Sequence, residues 1–342
     1  MDRLIICPTS KGMWWDDLSI DVLREPRRAV ERDGQWYLWL NLYSRIVLRK
    51  EEEVHRGGYG TLTRCVREEQ MWDPSTGVWQ IGSEKKVYLK QSFKQVSFKE
   101  EALLQKLAQM ELAAVGCGKV VPPVLDIFIE PAGLVVFTME CYDDYTILSN
   151  AIKNGSASEG VLADIIFQIA FFLHVLTDRV GLNHRDIKTS NILFRRDEKD
   201  LLLSYGGFLY KGRSKAEAAL VDFGFSCVGR ALGEPAFVRA GIYYGPKDPC
   251  PKTGRDLYLF LSLLLRDLYL YGGGEEKLVG WLEKRLWLAD IDIVGFIKKY
   301  LQKEPDWLYF LAGDSSLVFP HCEPTIILQS MLKDGLVDGT HV

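Results

Sequence analysis

The sequence lacks several features that would assign it to common classes of protein. None of its seven cysteines forms a C-x-x-C pair, so neither a zinc site nor a disulfide framework is predicted, and a reducing compartment is favoured. The 42 Lys and Arg residues do not outnumber the 46 Asp and Glu residues. The formal net charge of -4 provides no broad basic field, which argues against nucleic acid or an anionic membrane as the main partner.

The chain also lacks an uninterrupted apolar run of membrane-spanning length. Its most apolar stretches, 161–177 and 257–271, are both broken by polar residues, among them Asp164 and Arg266. A spanning helix needs about 18 or more consecutive apolar residues, so both stretches are predicted to be buried helices. The apolar run at the N-terminus is too short for a secretory signal. We therefore expect a cytoplasmic protein without a membrane span.

The secondary-structure pattern changes near 141–145. Before this point, strand formers alternate with turn residues, and 98–112 shows helical spacing; after it, helical spacing dominates. The predicted fold class is therefore α+β, with a β-rich first half and a helix-rich second half. The length of 342 residues corresponds to about two domains or lobes. The predicted helices of the second half are 158–180, 255–270 and 275–300.

The most specific motif is His184-Arg185-Asp186-Ile187-Lys188-Thr189-Ser190-Asn191, which is followed by Val221-Asp222-Phe223-Gly224. Together these segments resemble the catalytic loop H-R-D-x-K-x-x-N and the magnesium motif D-F-G of the eukaryotic-type protein kinase superfamily. The Lys version of the loop is similar to that of Ser/Thr kinases. The resemblance implies a bilobal fold, with ATP and Mg²⁺ bound between a β-rich N-lobe and a helical C-lobe.

The resemblance also implies a division of the chain. Residues 1–50 are expected to form an N-terminal extension packed on the small lobe. Residues 51–142 would form the N-lobe and 143–342 the C-lobe, which contains an insert at about 195–219. Because this insert is charged and contains glycine, it is predicted to be an extended hairpin or loop on the surface.

Roles for the loop residues follow from the resemblance. Phosphoryl transfer requires positioning and charge neutralisation from the protein. Asp186 would accept a hydrogen bond from the acceptor hydroxyl, and Lys188 would contact the transferring phosphate. Asn191 and Asp222 would supply the hard oxygen ligands that Mg²⁺ prefers.

Weaker matches lie upstream, in the order that the family has. The segment 55–62 resembles the glycine-rich loop, with a histidine in place of the first glycine. Gly57, Gly58 and Gly60 would allow backbone N–H groups to approach the phosphates, because no Cβ stands in the way. Leu62 ends the motif and would contact the nucleotide. An ordinary hairpin turn is the alternative interpretation of this segment.

A lysine strand follows this loop. Val87–Lys90 resembles V-A-I-K, which makes Lys90 the ligand of the α- and β-phosphates. Glu100 is the expected ion-pair partner of Lys90, because Leu104 then falls at the spine position of the family. Glu101 is the second choice, and a solvated helix face is the alternative for either glutamate.

Two further segments match the family pattern. Leu134–Glu140 resembles the strand that leads into the hinge, with Met139 as gatekeeper. Backbone groups of Glu140 and Tyr142 would then face the adenine. Asp256 resembles the buried helix aspartate that braces the catalytic-loop backbone; an N-terminal helix cap is the alternative role.

The chain also departs from the family pattern. Tyr88 replaces the small alanine that packs on adenine, on the same strand face as Lys90. No A-P-E motif is present, and the nearest candidate is 245–247. After Ser226, no Ser or Thr occurs until Thr253, so activity is expected not to require phosphorylation of this segment.

The leading hypothesis is an ATP- and Mg-dependent kinase that phosphorylates Ser/Thr hydroxyls of a protein substrate. Two alternatives stay open. One is a pseudokinase or scaffold whose nucleotide pocket is occluded by Tyr88. The other is a small-molecule or lipid kinase, which the irregular segment between Asp222 and Asp256 favours.

Overall fold

The computed structural model describes residues 26–92, 97–229, 236–241, 243–244, 248–272, 276–288 and 291–341. Half of the predicted N-terminal extension, residues 1–25, lies outside these ranges, as does the candidate for the A-P-E motif at 245–247.

The first part of the chain forms one eight-stranded sheet. Its strands are β1 (Arg27–Arg28), β2 (Val30–Arg32), β3 (Gln35–Asn41), β4 (Ser44–Arg56), β5 (Gly60–Asp73), β6 (Val78–Ser92), β7 (Val124–Ile129) and β8 (Val135–Glu140). Their spatial order is β1-β7-β8-β6-β5-β4-β3-β2, and only the pair β1 and β7 is parallel. Helix α1 (Lys99–Ala114) connects β6 to β7. Strands β1 to β4 show that residues 27–50 contribute to the same sheet as the predicted N-lobe strands.

The hairpin of β5 and β6 is the longest pairing in this sheet and carries the predicted lysine strand. Its turn follows Asp73, whose carboxylate accepts hydrogen bonds from the Ser75 backbone N–H (2.9 Å) and the Thr76 hydroxyl (2.9 Å). Gly77 completes the turn with a positive φ of 66°, which glycine adopts without a steric penalty. The register then places Leu62 opposite Lys90.

The second part of the chain is mainly helical. Its helices are α2 (Leu148–Lys153), α3 (Glu159–Val180), α4 (Arg255–Tyr271), α5 (Glu276–Arg285), α6 (Ile293–Lys299), α7 (Asp306–Gly313) and α8 (Pro324–Lys333). Short strands accompany them, namely β9 (Thr146–Ile147), β10 (Leu182–Asn183), β13 (Cys227–Val228), β14 (Val238–Arg239) and β15 (Gly339–His341). The predicted helix over 275–300 is two helices, α5 and α6.

Helix α3 is the centre of the main hydrophobic core. By length and composition it could cross a membrane, but 83% of its most apolar 18-residue window is buried inside the protein. Its left-handed C-cap, Gly181, packs so closely on Gly229 that a Cβ there would lie 2.3 Å from the Gly229 carbonyl oxygen. The burial agrees with the predicted buried helix over 161–177.

The insert forms a long hairpin of β11 (Ile192–Tyr205) and β12 (Phe208–Leu220). Its two turn residues, Gly206 and Gly207, both have positive φ, as tight hairpin turns that match the strand twist require. The hairpin prediction is confirmed, but the surface location is only half right. One face packs on α3, where the Gln168 amide donates to the Ala216 carbonyl oxygen (2.8 Å) and its carbonyl accepts from the Ala218 N–H (3.1 Å).

A disulfide joins Cys227 to Cys250, so the prediction of no disulfide is wrong at this pair. The two cysteines are separated by 23 residues, a spacing that carries no local signal. Strand β13 and the segment before α4 bring them together in the folded chain.

The α+β class with a large sheet is confirmed, whereas the domain boundaries stay predictions.

Candidate active site

Lys90 joins three segments that are distant in sequence. Its ammonium on β6 lies 2.5 Å from Glu101 Oε1 on α1 and 2.8 Å from Asp222 Oδ1, just after β12. Glu101 is buried, with 3% of its side chain exposed. The ammonium therefore bridges two carboxylates at one point.

Glu101, not Glu100, is the ion-pair partner of Lys90, so the preferred prediction is wrong and the second choice is correct. Glu100 is exposed on the outer face of α1. The sequence favours Glu100 because Gln105, the residue four positions after Glu101, is polar, whereas Leu104 follows Glu100 at the same spacing. In the structure Gln105 is buried, and its amide donates to the Pro122 carbonyl oxygen (2.8 Å). This bond allows a polar residue to occupy the inner face of the helix.

The charges in this cluster shift one another's pKa values. Partial desolvation of the Asp222 carboxylate would raise its pKa, but the Lys90 ammonium outweighs this effect and lowers the pKa to about 2. Burial raises the pKa of Glu101 to about 7, against the effect of Lys90. Burial lowers the pKa of Lys90, but the charges of Asp222 and Glu101 outweigh it and hold the pKa above its usual value. Lys90 and Asp222 are therefore both charged at neutral pH.

The residues of the predicted catalytic loop form a second cluster around Asp186, which is buried. Lys188 Nζ lies 2.8 Å from Asp186 Oδ2, and the Asn191 amide donates to the same oxygen (2.9 Å). Asn191 also donates to the Asp186 carbonyl oxygen (2.9 Å). A third group, the Tyr309 hydroxyl, donates to Asp186 Oδ1 (2.7 Å). Both carboxylate oxygens therefore accept hydrogen bonds.

The backbone of this loop is held from α4. Asp256 accepts hydrogen bonds from the backbone N–H groups of His184 (2.7 Å) and Arg185 (2.9 Å), which agrees with the bracing role predicted for it. Arg185 and Asp222 have left-handed backbone angles, with φ of 65° and 66°. Non-glycine residues rarely adopt this conformation, and it tends to occur where surrounding structure enforces it at functional sites.

Asn191 and Asp222 offer the donor atoms that a hard cation needs. The Asn191 side-chain nitrogen donates hydrogen bonds to Asp186, so the side-chain oxygen of Asn191 is the atom left for a cation. The Asp222 side chain is 44% exposed, and its low pKa keeps it ionised. Among the residues that the structure describes, no group of three or more His, Cys, Asp and Glu side chains surrounds a common metal position.

The predicted glycine-rich loop is the turn between β4 and β5. The Gly57 N–H donates to the Gly60 carbonyl oxygen (2.9 Å), which closes the turn. A Cβ on Gly60 would lie 2.2 Å from the Gln91 carbonyl oxygen, so close packing of β5 on β6 requires glycine at this position. A Cβ on Gly58, which is exposed, would meet no atom within 4 Å, so packing alone does not require glycine at this position.

Tyr88 on β6 contacts the segment that follows the neighbouring strand β8. Its hydroxyl donates to Asp143 Oδ1 (2.8 Å), and the same oxygen accepts from Arg64 Nη2 (2.9 Å). Burial, together with the bond to Asp143, raises the pKa of Tyr88 to about 12. The phenol therefore bridges the lysine strand and the predicted hinge.

The predicted hinge residues are anchored on both sides. The Glu140 N–H donates to the Pro123 carbonyl oxygen (3.1 Å), and the Tyr142 carbonyl accepts from the Tyr145 N–H (3.1 Å). The Tyr142 hydroxyl donates to the Lys119 carbonyl oxygen (2.9 Å). These bonds fix the predicted hinge segment on both sides.

Sequence reasoning missed two residues of this region. Tyr309 reaches Asp186 from α7, and no motif or spacing relates the two. Asp248 accepts from the buried guanidinium of Arg185 (3.1 Å). A search between Asp222 and Asp256 for an acid in place of a phosphate would have returned Asp248 as one of two candidates.

Comparison with known proteins gives a kinase-like similarity over part of the chain. No protein-family model matches the sequence. The chain is 32% identical over 101 residues to "Probable kinase 098L" of Invertebrate iridescent virus 3. The matched stretch is 29% of this chain and 18% of the viral protein, so it spans less than a fifth of that relative's length.

Proposed function

We propose that this protein is an ATP- and Mg-dependent protein kinase with a bilobal fold, which transfers the γ-phosphate to Ser/Thr hydroxyls of a protein substrate. The observation that carries the proposal is the bridge from Lys90 to Glu101 and Asp222. Such a lysine, fixed by a buried carboxylate, is positioned to bind phosphates beside a metal-binding aspartate. The similarity to a viral protein named as a kinase agrees with this function.

ATP would lie between the eight-stranded sheet and the catalytic loop. Lys90 would contact its phosphates, the turn at Gly57–Gly60 would cover them, and backbone groups of Glu140 and Tyr142 would meet the adenine. Asn191 and Asp222 would hold Mg²⁺. Bound there, the cation would neutralise charge on the phosphate oxygens. The side-chain oxygens of Asn191 and Asp222 fit a cation whose other ligands are phosphates and water.

Asp186 and Lys188 would act on the acceptor. The acceptor oxygen forms a bond to the γ-phosphorus, the bond to the bridging oxygen of ADP breaks, and the acceptor proton passes to Asp186. Lys188, whose Nζ lies 2.8 Å from Asp186 Oδ2, would contact the transferring phosphate. The Asn191 amide holds the carboxylate in the orientation that this proton transfer requires.

The experiment is phosphate transfer from radiolabelled ATP to a pooled Ser/Thr peptide library with Mg²⁺. Asp186→Asn and Lys90→Met are expected to lose about 100-fold or more of the rate, since each removes a group that acts in the transition state. Glu100→Gln is the control variant, because Glu100 is exposed and outside the cluster. Wild-type turnover in both site variants would reject the assignment of the site.

The bond between Tyr88 and Asp143 favours a second candidate, a pseudokinase with an occluded nucleotide pocket. An adenine that packs on β6 beside Lys90 would require this phenol to swing aside or to stack on a shifted nucleotide, and otherwise the phenol would block the pocket. Thermal unfolding with and without ATP and Mg²⁺ separates the two functions, because a ligand that binds the native state raises its stability. The absence of any shift at millimolar nucleotide would favour the pseudokinase.

A further inference from the structure

Tyr309 places a hydroxyl on the candidate catalytic base. It belongs to α7, and its oxygen lies 2.7 Å from Asp186 Oδ1, although 123 residues separate the two in sequence. Only 8% of Tyr309 is exposed. Lys188 lies 3.1 Å from the same oxygen.

This hydroxyl occupies the position that an acceptor needs. A general base must lie within about 2.6–3.2 Å of the atom whose proton it takes. Tyr309 already meets this criterion at Asp186. The other carboxylate oxygen accepts from Lys188 and Asn191. An acceptor hydroxyl therefore competes with Tyr309 for Asp186 Oδ1.

Tyr309 is the inner end of a row of four aromatic rings. Tyr309 packs on Tyr243 (5.7 Å between ring centroids), Tyr243 stacks on Phe225 (5.2 Å), and Phe225 meets Tyr59 (6.0 Å). The aromatic row thus extends from the catalytic loop to the turn between β4 and β5. Its members Tyr59 and Tyr243 are exposed, so solvent reaches the outer part of the row.

The hydrogen bond from Tyr309 is not needed to orient Asp186. The Asn191 amide bonds both the carboxylate and the backbone carbonyl of Asp186, and Lys188 contacts both carboxylate oxygens. These bonds come from residues within the same loop. A competing role for the Tyr309 hydroxyl therefore fits the geometry better than a positioning role.

We propose that Tyr309 is a gate for the acceptor: its hydroxyl holds the acceptor position on Asp186, and a substrate hydroxyl binds there only when Tyr309 leaves. This inference rests on the proposed kinase function. It concerns the acceptor and not the nucleotide, because Asp186 Oδ1 faces Tyr309 while Lys90 and Asp222 pair with each other.

The test is steady-state phosphate transfer by Tyr309→Phe, with the pooled Ser/Thr peptide library as acceptor. The variant keeps the ring of the aromatic row and removes the competing hydroxyl. The KM for the acceptor is expected to fall about tenfold. The hydrogen bond from Tyr309 to the charged Asp186 shifts the equilibrium between the closed and the open gate by about that factor or more, and the variant lacks this bond. The kcat and the KM for ATP are expected to stay within about twofold. Tyr300→Phe, a change on the preceding α6–α7 connection, is the matched control.

Three outcomes would overturn the gate. A lower kcat with unchanged acceptor KM would make Tyr309 a positioning residue for Asp186. Phosphate found on Tyr309 itself by mass spectrometry would make it an acceptor. An acceptor KM and a kcat that are both unchanged in Tyr309→Phe would reject the gate alone, provided that transfer by the wild type depends on Asp186.

The two proposals fail in different ways. If neither wild type nor Tyr309→Phe transfers phosphate while both bind MgATP, the proposed function fails and the gate fails with it. Tyr309→Leu is measured in parallel, because it also removes the hydroxyl and keeps an apolar side chain in the core. The conclusion therefore does not depend on the folding of one variant.

Discussion

The guanidinium of Arg185 lies 3.1 Å from the carboxylate of Asp248, and both side chains are buried. The same carboxylate oxygen accepts from Arg255 (2.7 Å). Arg185 directly precedes Asp186, so one anion in the segment before α4 fixes the residue beside the candidate catalytic base. In kinases whose activation loops are ordered by phosphorylation, a phosphate pairs with arginine in a comparable way.

Asp248→Asn is expected to destabilise the protein by about 3–5 kcal/mol, because it leaves two buried guanidinium groups without their carboxylate. Urea unfolding followed by circular dichroism measures this. Glu198→Gln is the control, since Glu198 pairs with Arg213 at the exposed surface and its loss is expected to cost less than about 1 kcal/mol. Equal stabilities of the two variants would contradict the role of Asp248.

Because the Asp248 carboxylate already pairs with Arg185, activity is expected without phosphorylation of the segment between Asp222 and Asp256. Tyr244 is buried, and its hydroxyl donates to the Arg185 carbonyl oxygen (3.0 Å), so it is not presented to a kinase. Protein treated with a phosphatase is expected to keep its transfer rate, with mock-treated protein as the control. A phosphotyrosine at Tyr243 or Tyr244 that is required for turnover would contradict this expectation.

The sequence was sufficient for the local parts of the site and insufficient for the parts assembled by packing. Asp186, Lys188 and Asn191 lie within one loop, so their motif and their contacts coincide. The choice between Glu100 and Glu101 depended on whether a polar Gln105 could be buried. That depends on the Pro122 carbonyl oxygen, which no pattern in α1 reveals.

The same limit applies to the wider fold. The helical spacing over 98–112 predicted α1 correctly, and the strand formers separated by turn residues before 141 predicted the strands of the sheet. Contacts between distant segments, such as Cys227 with Cys250 and Tyr309 with Asp186, have no local signature. The burial of one hairpin face on α3 likewise depends on a partner that the hairpin sequence does not identify.

The raised pKa of Glu101 predicts a dependence of stability on pH. Its pKa is about 7 in the folded protein and near 4.5 in the unfolded chain, so the folded state binds the proton more tightly. The stabilisation from this group is fully present below pH 4.5 and is lost as pH rises through 7. Urea unfolding between pH 4.5 and 8 measures the slope. In Glu101→Gln this part of the slope is expected to be absent, and in Glu100→Gln it is expected to persist; a wild-type slope in Glu101→Gln would contradict the shift.

Removal of the Tyr88 phenol is expected to strengthen nucleotide binding. In Tyr88→Ala, the bond to Asp143 no longer has to be broken and the ring no longer occupies the strand face beside Lys90. Isothermal titration with ATP and Mg²⁺ is expected to show a Kd that is lower by about threefold to tenfold. Tyr88→Phe, which removes only the hydroxyl, is expected to fall between wild type and Tyr88→Ala. A weaker affinity in Tyr88→Ala would mean that the phenol stacks on the nucleotide instead.

Magnesium binding is expected to require nucleotide. Asn191 and Asp222 offer two oxygen donors, whereas Mg²⁺ takes six ligands and in kinase sites obtains several of them from phosphates and water. Thermal unfolding of the wild type is therefore expected to shift with ATP plus Mg²⁺ and to stay unchanged, within about 1 °C, with Mg²⁺ alone at the same concentration. In Asp222→Asn the additional shift caused by Mg²⁺ in the presence of ATP is expected to disappear, while ATP alone still binds through Lys90. Asp334→Asn, a change in an exposed pair with Arg285, is the control. A full Mg²⁺-dependent shift in Asp222→Asn would exclude Asp222 as a ligand, because the neutral amide lacks the charge that holds the cation.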